Sequence, residues 1–399
     1  DQNSKVAQAW ERVREACAEK AVAESKWVPD IYMGTAWYRH EGGIQDFPGT
    51  LIRSSTGAMF AGVEVNSQFD VRDYAFQQIN ARRTVWQQRG ELSKVTSETV
   101  LEAASTYIDL LTARNGEIIA RRQDGELAGL LDRARKFASV DDAGKIEVDR
   151  ILAARGAQKQ LMLELREQAN AASAKLAYLL GIDPCTEMIP VDSHLVPIDL
   201  VDASAPTCQL IDQALTSGPG VQELEGLLQL IQESQERSRG PLRWMPVVGL
   251  RMAEGGFGAG AGDQLTWDNR WDLGLQARWN LTEFVTLKER RRVAEAKMQQ
   301  AHLAYQDLRG KLAAGVQASR HSIISGRDQI KLGAEQKHNA NRAYQLSKRR
   351  YNEDVKGSSA SEVMLALRSV ALAEANYLKA VAGYNKAQIR MLILLGPHY

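Results

Sequence analysis

Cysteine, histidine and glycine are the residues in this chain whose chemistry could support a metal, redox or phosphate site. The six histidines lie apart from one another, without the grouping of a metal site. Cys17, Cys185 and Cys208 also lack metal-site spacing, and Cys185 and Cys208 could pair in an oxidising compartment as readily as stay free thiols. The run Gly255–Gly262 has no Lys-Ser/Thr after it, which favours a loop between strands over a phosphate cradle. We therefore expect no catalytic residues, no cofactor and no metal site.

The composition is that of a folded protein. The chain has 399 residues, of which 44% are hydrophobic and 25% charged. Its 50 basic and 49 acidic residues nearly cancel, so no electrostatic feature indicates binding to nucleic acid. The sequence contains no run of 18 apolar residues, so it predicts no membrane-spanning helix. The strands of a membrane β-barrel have a weaker, alternating pattern, so this observation does not exclude them. Asp1 begins in a helical pattern without signal-peptide features, which predicts that a leader has been removed or the start trimmed.

The sequence contains an internal repeat. Trp27-Val28-Pro29 returns as Trp244-Met245-Pro246, and Leu179-Leu180-Gly181 returns as Leu394-Leu395-Gly396. The offsets are 217 and 215 residues, so the two copies differ only by small insertions. Between the markers each copy has the pattern of a strand, a glycine-containing loop, a second strand and long helices. Gene duplication is the economical explanation.

These patterns predict the division of the chain. Repeat 1 covers residues 1–184, a linker covers 185–205, and repeat 2 covers 206–399. The predicted strands lie at about 28–38, 58–69, 246–254 and 270–281. The predicted helices lie at about 70–140, 145–180, 282–354 and 359–395. Strands and helices are interleaved, so they do not form separate domains in sequence.

The second strand of each repeat alternates apolar with polar residues. The apolar series is Val63, Val65, Leu273, Leu275 and Ala277, and the polar series includes Glu64, Asn66, Gln276 and Arg278. A period of two gives a strand one apolar and one polar face. About ten residues also match the length of a tilted membrane-spanning strand. A soluble sheet with one solvated face alternates in the same way, so alternation alone leaves both possibilities open.

The helices follow a different period. From Val363 to Leu395 the apolar positions step by four and three residues, which is the heptad pattern of coiled coils. The stretch Thr282–Asn352 contains no proline, so one helix of about 100 Å could form there. Ordinary globular domains have no use for helices of this length.

Four amphipathic strands per chain leave two open sheet edges, which lipid does not tolerate. Two copies would give eight strands, whose side chains fill the interior, whereas three copies give twelve and leave room to conduct. Aromatic residues lie near the strand ends, as membrane interfaces favour: Trp27, Trp37, Phe69, Trp244, Trp267 and Trp279. The strands therefore favour a homotrimeric barrel, with the apolar series as candidate lipid-facing residues. A soluble or peripheral coiled-coil structural scaffold is the alternative.

At this point the chain resembles the TolC-like outer-membrane efflux protein family over nearly its whole length. The resemblance depends on the duplicated order of loose motifs, which are Arg350–Gly357 with Glu362–Ala366, and Arg135–Phe137 with Gly144 and Asp149–Ala153. It implies a mainly α fold with a small β part. In such a fold, three chains form a trimeric 12-stranded outer-membrane β-barrel, with four strands per chain, which a long periplasmic α-helical barrel of coiled coils continues.

The resemblance also implies a function and partners. The chain would be a channel and not an enzyme, and it would provide the exit duct of a tripartite efflux or type I secretion system. Its location would be the outer membrane of a Gram-negative-type cell, with a long periplasmic extension. Its partners would be two further copies, a periplasmic adaptor (membrane fusion) protein, an inner-membrane transporter and outer-membrane lipid. The exported substrate, whether small molecule, metal or protein, stays open.

Two groups of residues near the helical turns are candidate sites under this resemblance. The turns would contact the adaptor through Gly144, Lys145, Ile146, Gly357, Ser358 and Ser359. Asp149 and Glu362 follow the two turn glycines at corresponding places of the repeats. They either complement the dipole at a helix N-terminus or, tripled by symmetry, ring a periplasmic gate that favours cations. Arg150 and Arg368 are possible partners on spacing alone.

Overall fold

The computed structural model describes residues 3–138, 142–183, 185–239, 246–261, 264–279 and 282–396. Its elements, in chain order, are α1 Ser4–Ser25, β1 Asp30–Gln45, β2 Leu51–Phe69, α2 Val71–Ala138, α3 Asp142–Leu180, α4 Thr207–Ser217, α5 Val221–Arg239, β3 Val247–Ala261, β4 Thr266–Arg278, α6 Thr282–Asn352 and α7 Ala360–Leu395. The fold is mainly α with a small β part, as predicted. Each half contains two strands followed by two long helices, in the order that the repeat predicts, and duplication itself stays a prediction.

The strands differ most from the sequence-based bounds. β1 and β3 continue to Gln45 and Ala261, past the predicted ends at 38 and 254, and β2 already begins at Leu51. Glycines that suggested loops lie inside the strands. Gly42, for example, has a φ of 143°, which glycine adopts without the penalty that a Cβ would bring. β4 begins earlier than predicted, at Thr266, and the predicted strand residues 280 and 281 lie outside the described part of the chain.

All four strands form one antiparallel sheet in the order β1-β2-β3-β4. In one row across the sheet, Met33 lies opposite Val63, Val63 opposite Glu254, and Glu254 opposite Trp271. β1 and β4 are therefore the edge strands. The sheet belongs to one compact unit of the chain, residues 12–88 and 225–304.

The other compact unit comprises residues 1–11, 89–224 and 305–399. One of its cores joins α2, α3, α6 and α7 and contains Leu131, Ile151, Tyr351 and Leu367. The predicted heptad series on α7 is largely the buried series, from Val363 to Leu395. Packing of this stripe, more than helix propensity, is what stabilises helices of this kind.

Buried amides on α7 hold the linker between the two halves. The Asn385 side chain accepts a hydrogen bond from the Ile198 N–H at 3.0 Å and donates one to the Val196 carbonyl at 2.8 Å. Gln388 Oε1 accepts from the N–H groups of Leu200, at 3.2 Å, and Val201, at 2.8 Å. Both amides are almost fully buried. The extended linker thus satisfies its backbone with side chains of α7 instead of a neighbouring strand.

We expect Gln388→Met to lower the free energy of unfolding by about 1–3 kcal/mol, because two linker N–H groups lose their acceptor. The variant should also expose the linker to proteases near Leu200. Thermal unfolding and limited proteolysis measure the two effects. Gln329→Met, at an exposed position of α6, is the matched control and should change neither. Equal behaviour of the two variants would contradict the role of Gln388.

Candidate functional site

The sheet has one apolar face. Cross-strand partners in a sheet point to the same side, so the register assigns every strand residue to a face. The apolar face is formed by Ile31, Met33, Trp37, Met59, Val63, Val65, Leu250, Met252, Trp271, Leu273, Leu275 and Ala277. All five candidate lipid-facing residues lie on it. Glu254 lies on this face too, opposite Val63 and Trp271.

The apolar face is exposed within the chain. Leu275 is 78% exposed, Met33 86% and Trp37 66%. Soluble monomers rarely expose a continuous apolar surface of this extent, and such surfaces mark contacts with a membrane or with another protein. Trp37 and Trp267 share one row of the apolar face through Met59 and Gly258, beyond which charged residues begin. The face is therefore an apolar band with an aromatic border.

The opposite face of the sheet bears its charged pairs, together with aromatic residues that include Tyr32, Tyr38, Phe60 and Phe257. Arg251 Nε lies 3.0 Å from Glu64 Oε1, and Arg270 Nε lies 2.8 Å from Asp272 Oδ2. Arg278 donates to Gln276 Oε1 at 2.8 Å. These pairs are partly exposed, so their geometry suits contact with water, and each contributes little to stability.

The turn between α6 and α7 has a defined backbone. Asp354 takes a φ of 52°, and the Val355 N–H donates to the Arg350 carbonyl at 3.0 Å, as in a Schellman helix end. Gly357 has a φ of 87°, which also favours glycine. Ser358 donates through both its N–H and its hydroxyl to the Val355 carbonyl. The turn is thus stabilised by its own hydrogen bonds.

Glu362 connects this turn to α6. Ser359 is the N-cap of α7, and its hydroxyl oxygen accepts from the Glu362 N–H at 3.1 Å. The Glu362 carboxylate accepts from Ser347 Oγ at 3.2 Å and from Arg350 Nη1 at 3.3 Å. The ion-pair partner is therefore Arg350, and neither of the arginines that spacing suggested. Sequence reasoning overlooked the Ser-x-x-Glu pattern of residues 359–362, which is a signal for a helix start.

The first repeat places its candidates differently. Gly144, Lys145 and Ile146 lie in the first turn of α3, which begins at Asp142, so they are helical residues and not a turn. Residues 139–141, which precede them, are outside the described part. Asp149 is exposed on α3, while Arg150 donates to Ser361 Oγ at 3.3 Å. Among the described residues, Asp149 and Glu362 do not share a hydrogen bond or ion pair.

A row of polar side chains on α2 connects the neighbouring helices. Arg122 Nη2 donates to Glu374 Oε2 of α7 at 2.6 Å, and Glu374 is 4% exposed. Asp124 accepts two hydrogen bonds from Arg155 of α3, at 2.9 and 3.0 Å. Sequence reasoning did not find these contacts, although an acid at position 374 of an apolar heptad series was a signal that it needed a partner.

Two further contacts of α2 reach α6. Glu126 Oε2 accepts from Tyr344 Oη at 2.6 Å and also from Lys348. Arg133 Nη2 donates to the Asn352 carbonyl, at 2.5 Å, in the last turn of α6. α2 is therefore joined by charged side chains to all three of its long partners.

Two carboxyl groups on α2 have lowered pKa values. The hydrogen bond from Arg155 lowers the pKa of Asp124. Burial alone would raise the pKa of Glu126, but the hydrogen bonds from Lys348 and Tyr344 outweigh it and lower the pKa. Burial, with the bond to Glu126, raises the pKa of Tyr344. The ionised carboxylates are thus the forms that the folded chain stabilises.

We expect acid to weaken the helical unit through these groups. A carboxyl whose folded pKa is lowered stabilises the fold fully above its unfolded value, here 4.5 for Glu126 and 3.8 for Asp124. This stability is lost as pH falls through the folded values. Asp124→Asn with Glu126→Gln should lower the free energy of unfolding at pH 7 by about 1–3 kcal/mol and flatten its decrease below pH 4.5. Thermal unfolding between pH 7 and pH 2.5 measures both, with Glu164→Gln, an exposed acid of α3, as control. An unchanged acid transition in the double variant would contradict the assignment.

Neither a group of three or more metal-ligating side chains nor a disulfide occurs among the described residues. Cys17, Cys185 and Cys208 are exposed free thiols. Cys185 and Cys208 therefore do not form a disulfide in this structure. No described helix is both long and apolar enough to cross a membrane.

Comparison with known proteins connects this arrangement to a family. Residues 210–397 match the sequence model of the outer membrane efflux protein family. No curated protein sequence matches. Many solved structures share the fold, among them three outer-membrane proteins. The outer-membrane channel OprN has a TM-score of 0.78 at 19% identity, covering 99% of this chain and 87% of its own. The VceC outer membrane protein of Vibrio cholerae has a TM-score of 0.77 at 12% identity, and the match covers 99% of this chain and 93% of VceC. The CmeC outer membrane channel of Campylobacter jejuni has a TM-score of 0.75 at 15% identity, and the match covers 99% of this chain and 83% of CmeC.

These similarities agree with the predicted fold class and with the predicted location, an outer membrane with a periplasmic helical extension. The relatives are channels and not enzymes. Residues 210–397 of this chain match the outer membrane efflux protein family, and the chain as a whole has the fold of outer-membrane channels.

Proposed function

We propose that this chain is the outer-membrane duct of a tripartite efflux or type I secretion system, in which three copies close one twelve-stranded barrel. The observation that carries the proposal is the division of the sheet into an apolar and a polar face, with two edge strands left over. A soluble scaffold would leave the apolar face in water, and the proposed barrel covers it with lipid.

The height of the apolar band supports a membrane location. Ten residues of β4 separate Trp267 from Ala277 on the apolar face. They span about 33 Å of strand, which rises about 25 Å at a tilt near 40°. This matches the apolar band of outer-membrane barrels, which aromatic residues border at both interfaces. Trp267 and Trp37 would lie at one border and Trp279, two residues beyond Ala277, at the other.

The two edge strands support assembly of copies. β1 and β4 are antiparallel to each other in direction, so β4 of one copy can pair with β1 of the next and continue the same pattern. Eight strands from two copies would be filled by side chains, whereas twelve strands enclose a water-filled interior. The polar face, with Arg251–Glu64 and Arg270–Asp272, would line that interior.

The helical turns remain the proposed contacts with a periplasmic adaptor, which would link the duct to an inner-membrane transporter. Gly357 supports this role, because it lies in open space at a turn and a Cβ there would contact nothing within 4 Å. Ser358 and Ser359 flank it on the way into α7. Gly144, Lys145 and Ile146 would take part from the first turn of α3.

The gate role of Asp149 and Glu362 also stays a proposal. Asp149 is exposed and free to face a narrow mouth, where three copies would place three carboxylates near each other. Glu362 is half-buried and paired with Arg350, so its capping role has the stronger support. Cation preference of the closed mouth would then depend mainly on Asp149.

We expect Leu273→Arg to prevent stable insertion in the outer membrane, because an arginine facing lipid near the bilayer midplane costs about 2–4 kcal/mol per chain. Gln276→Arg, on the polar face of the same strand, is the matched control and should insert normally. Heat-modifiable trimer in the outer-membrane fraction is the measurement. Normal insertion of both variants would favour the soluble scaffold instead.

We expect Gly357→Val to abolish adaptor contact while the trimer persists. A β-branched residue at a φ of 87° strains the turn by about 1–2 kcal/mol and changes its surface. Asp354→Gly, in the same turn, relieves the other positive φ and should keep adaptor contact. Copurification of the duct with the adaptor of its own export system measures both. Wild-type copurification of Gly357→Val would place the contact elsewhere.

A further inference from the structure

The hairpin of β1 and β2 continues beyond the other strands. Within the described residues, β2 pairs with β3 as far as Thr56, opposite Ala261. β1 and β2 stay paired with each other up to Gln45 and Leu51. Residues 41–55 therefore form a two-stranded ribbon with a tight turn, in which the Asp46 N–H donates to the Thr50 carbonyl at 2.8 Å.

The two sides of this ribbon carry different residues. On the side that continues the apolar face, the ribbon and its base bear Arg39, Glu41 and Arg53, with Leu51 beside the turn, and Arg39 and Glu41 form an ion pair. On the side that continues the polar face, Ile44 lies directly opposite Ile52. The ribbon thus directs its isoleucine pair to the side of the sheet that carries the ion pairs Arg251–Glu64 and Arg270–Asp272.

The apolar residues of the ribbon are uncovered in the single chain. Ile44 and Ile52 are 39% and 43% exposed, and Phe47, in the turn, is fully exposed. An isolated two-stranded ribbon is marginally stable in water, and exposed isoleucine and phenylalanine side chains add to the cost. A long ribbon of this kind is consistent with a surface that is buried against something else.

We infer that the apolar residues of the ribbon are covered by the same ribbon of two other copies. The three ribbons then meet on the barrel axis and close the outer mouth of the barrel. The inference rests on the proposed trimeric barrel, in which the polar face looks inward. Ile44 and Ile52 then point towards the axis, where symmetry allows each ribbon to contact only its own copies. Lipid is the less suitable cover for Ile44 and Ile52, because in that barrel they face away from it, and the side towards lipid bears Arg39, Glu41 and Arg53 beside Leu51.

The dimensions permit this contact. Twelve strands about 4.8 Å apart at a tilt near 40° enclose a barrel with a radius of about 12 Å. The five residues from Glu41 to Gln45 span about 17 Å of extended chain, before the turn adds its own length. A ribbon that leans inward therefore reaches the axis. The exit would be closed by an apolar cluster of Ile44, Phe47 and Ile52 from each copy, and it would open when these ribbons move apart.

Cysteine cross-linking in the assembled duct tests the contact. Cys17, Cys185 and Cys208 are exposed and can be replaced by serine to give a cysteine-free parent. Phe47→Cys in that parent should form disulfide-linked dimers under mild oxidation. Ser55→Cys, on the charged side of the same ribbon, is the matched control. We expect about tenfold more linked dimer from Phe47→Cys, because a disulfide needs Cα atoms within roughly 7 Å of each other.

Single-channel conductance in planar bilayers gives an independent measurement. Oxidised Phe47→Cys should conduct less than its reduced form, and reductant should restore the current. Ile44→Ser with Phe47→Ser and Ile52→Ser should conduct more than the wild type from the first opening.

The outcomes distinguish failure of the proposed closure by the three ribbons, here called the lid, from failure of the proposed duct. A trimeric, conducting parent in which Phe47→Cys and Ser55→Cys link equally, or in which oxidation leaves the current unchanged, would overturn the lid and leave the proposed function intact. A parent that forms no membrane-inserted trimer would overturn both.

Discussion

The backbone of the two edge strands is the constraint on which the rest of this structure depends. β1 and β4 end the sheet, so each has a row of N–H and C=O groups that no neighbouring strand of the same chain satisfies. In a membrane no solvent replaces that neighbour, and other copies of the chain must. The proposed copy number, the proposed inward direction of Arg251 and Glu64, and the proposed position of Phe47 near the barrel axis all depend on this requirement.

The helical unit solves a different problem, because its surfaces meet water and its helices can be held by charge. Arg122, Asp124, Glu126 and Arg133 of α2 each bond to a neighbouring helix, beside the apolar core around Leu131. Removing one partner of a buried ion pair lowers the free energy of unfolding strongly, because the remaining charge has neither water nor a counterion. The contacts therefore fix the register of the helices more firmly than the repetitive heptad packing alone.

Periodicity made the element types predictable, since the alternation of Val63 to Val65 and of Leu273 to Ala277 determines a face before any contact is known. Strand ends were not predictable in this way, because Gly42 and its neighbours suit a turn and an extended ribbon equally well. The partner of Glu362 was also beyond sequence reasoning. It depends on the positive φ of Asp354, which lets the chain reverse so that Arg350 and the start of α7 meet.

The amides that bind the linker lie on α7, the last helix of the described residues. Asn385 and Gln388 are synthesised some 190 residues after the Val196 to Val201 segment that they hold. Until α7 docks, that segment has an unsatisfied, accessible backbone and is a substrate for proteases. A chain that ends before α7 therefore keeps a segment near its middle whose N–H groups lack these acceptors.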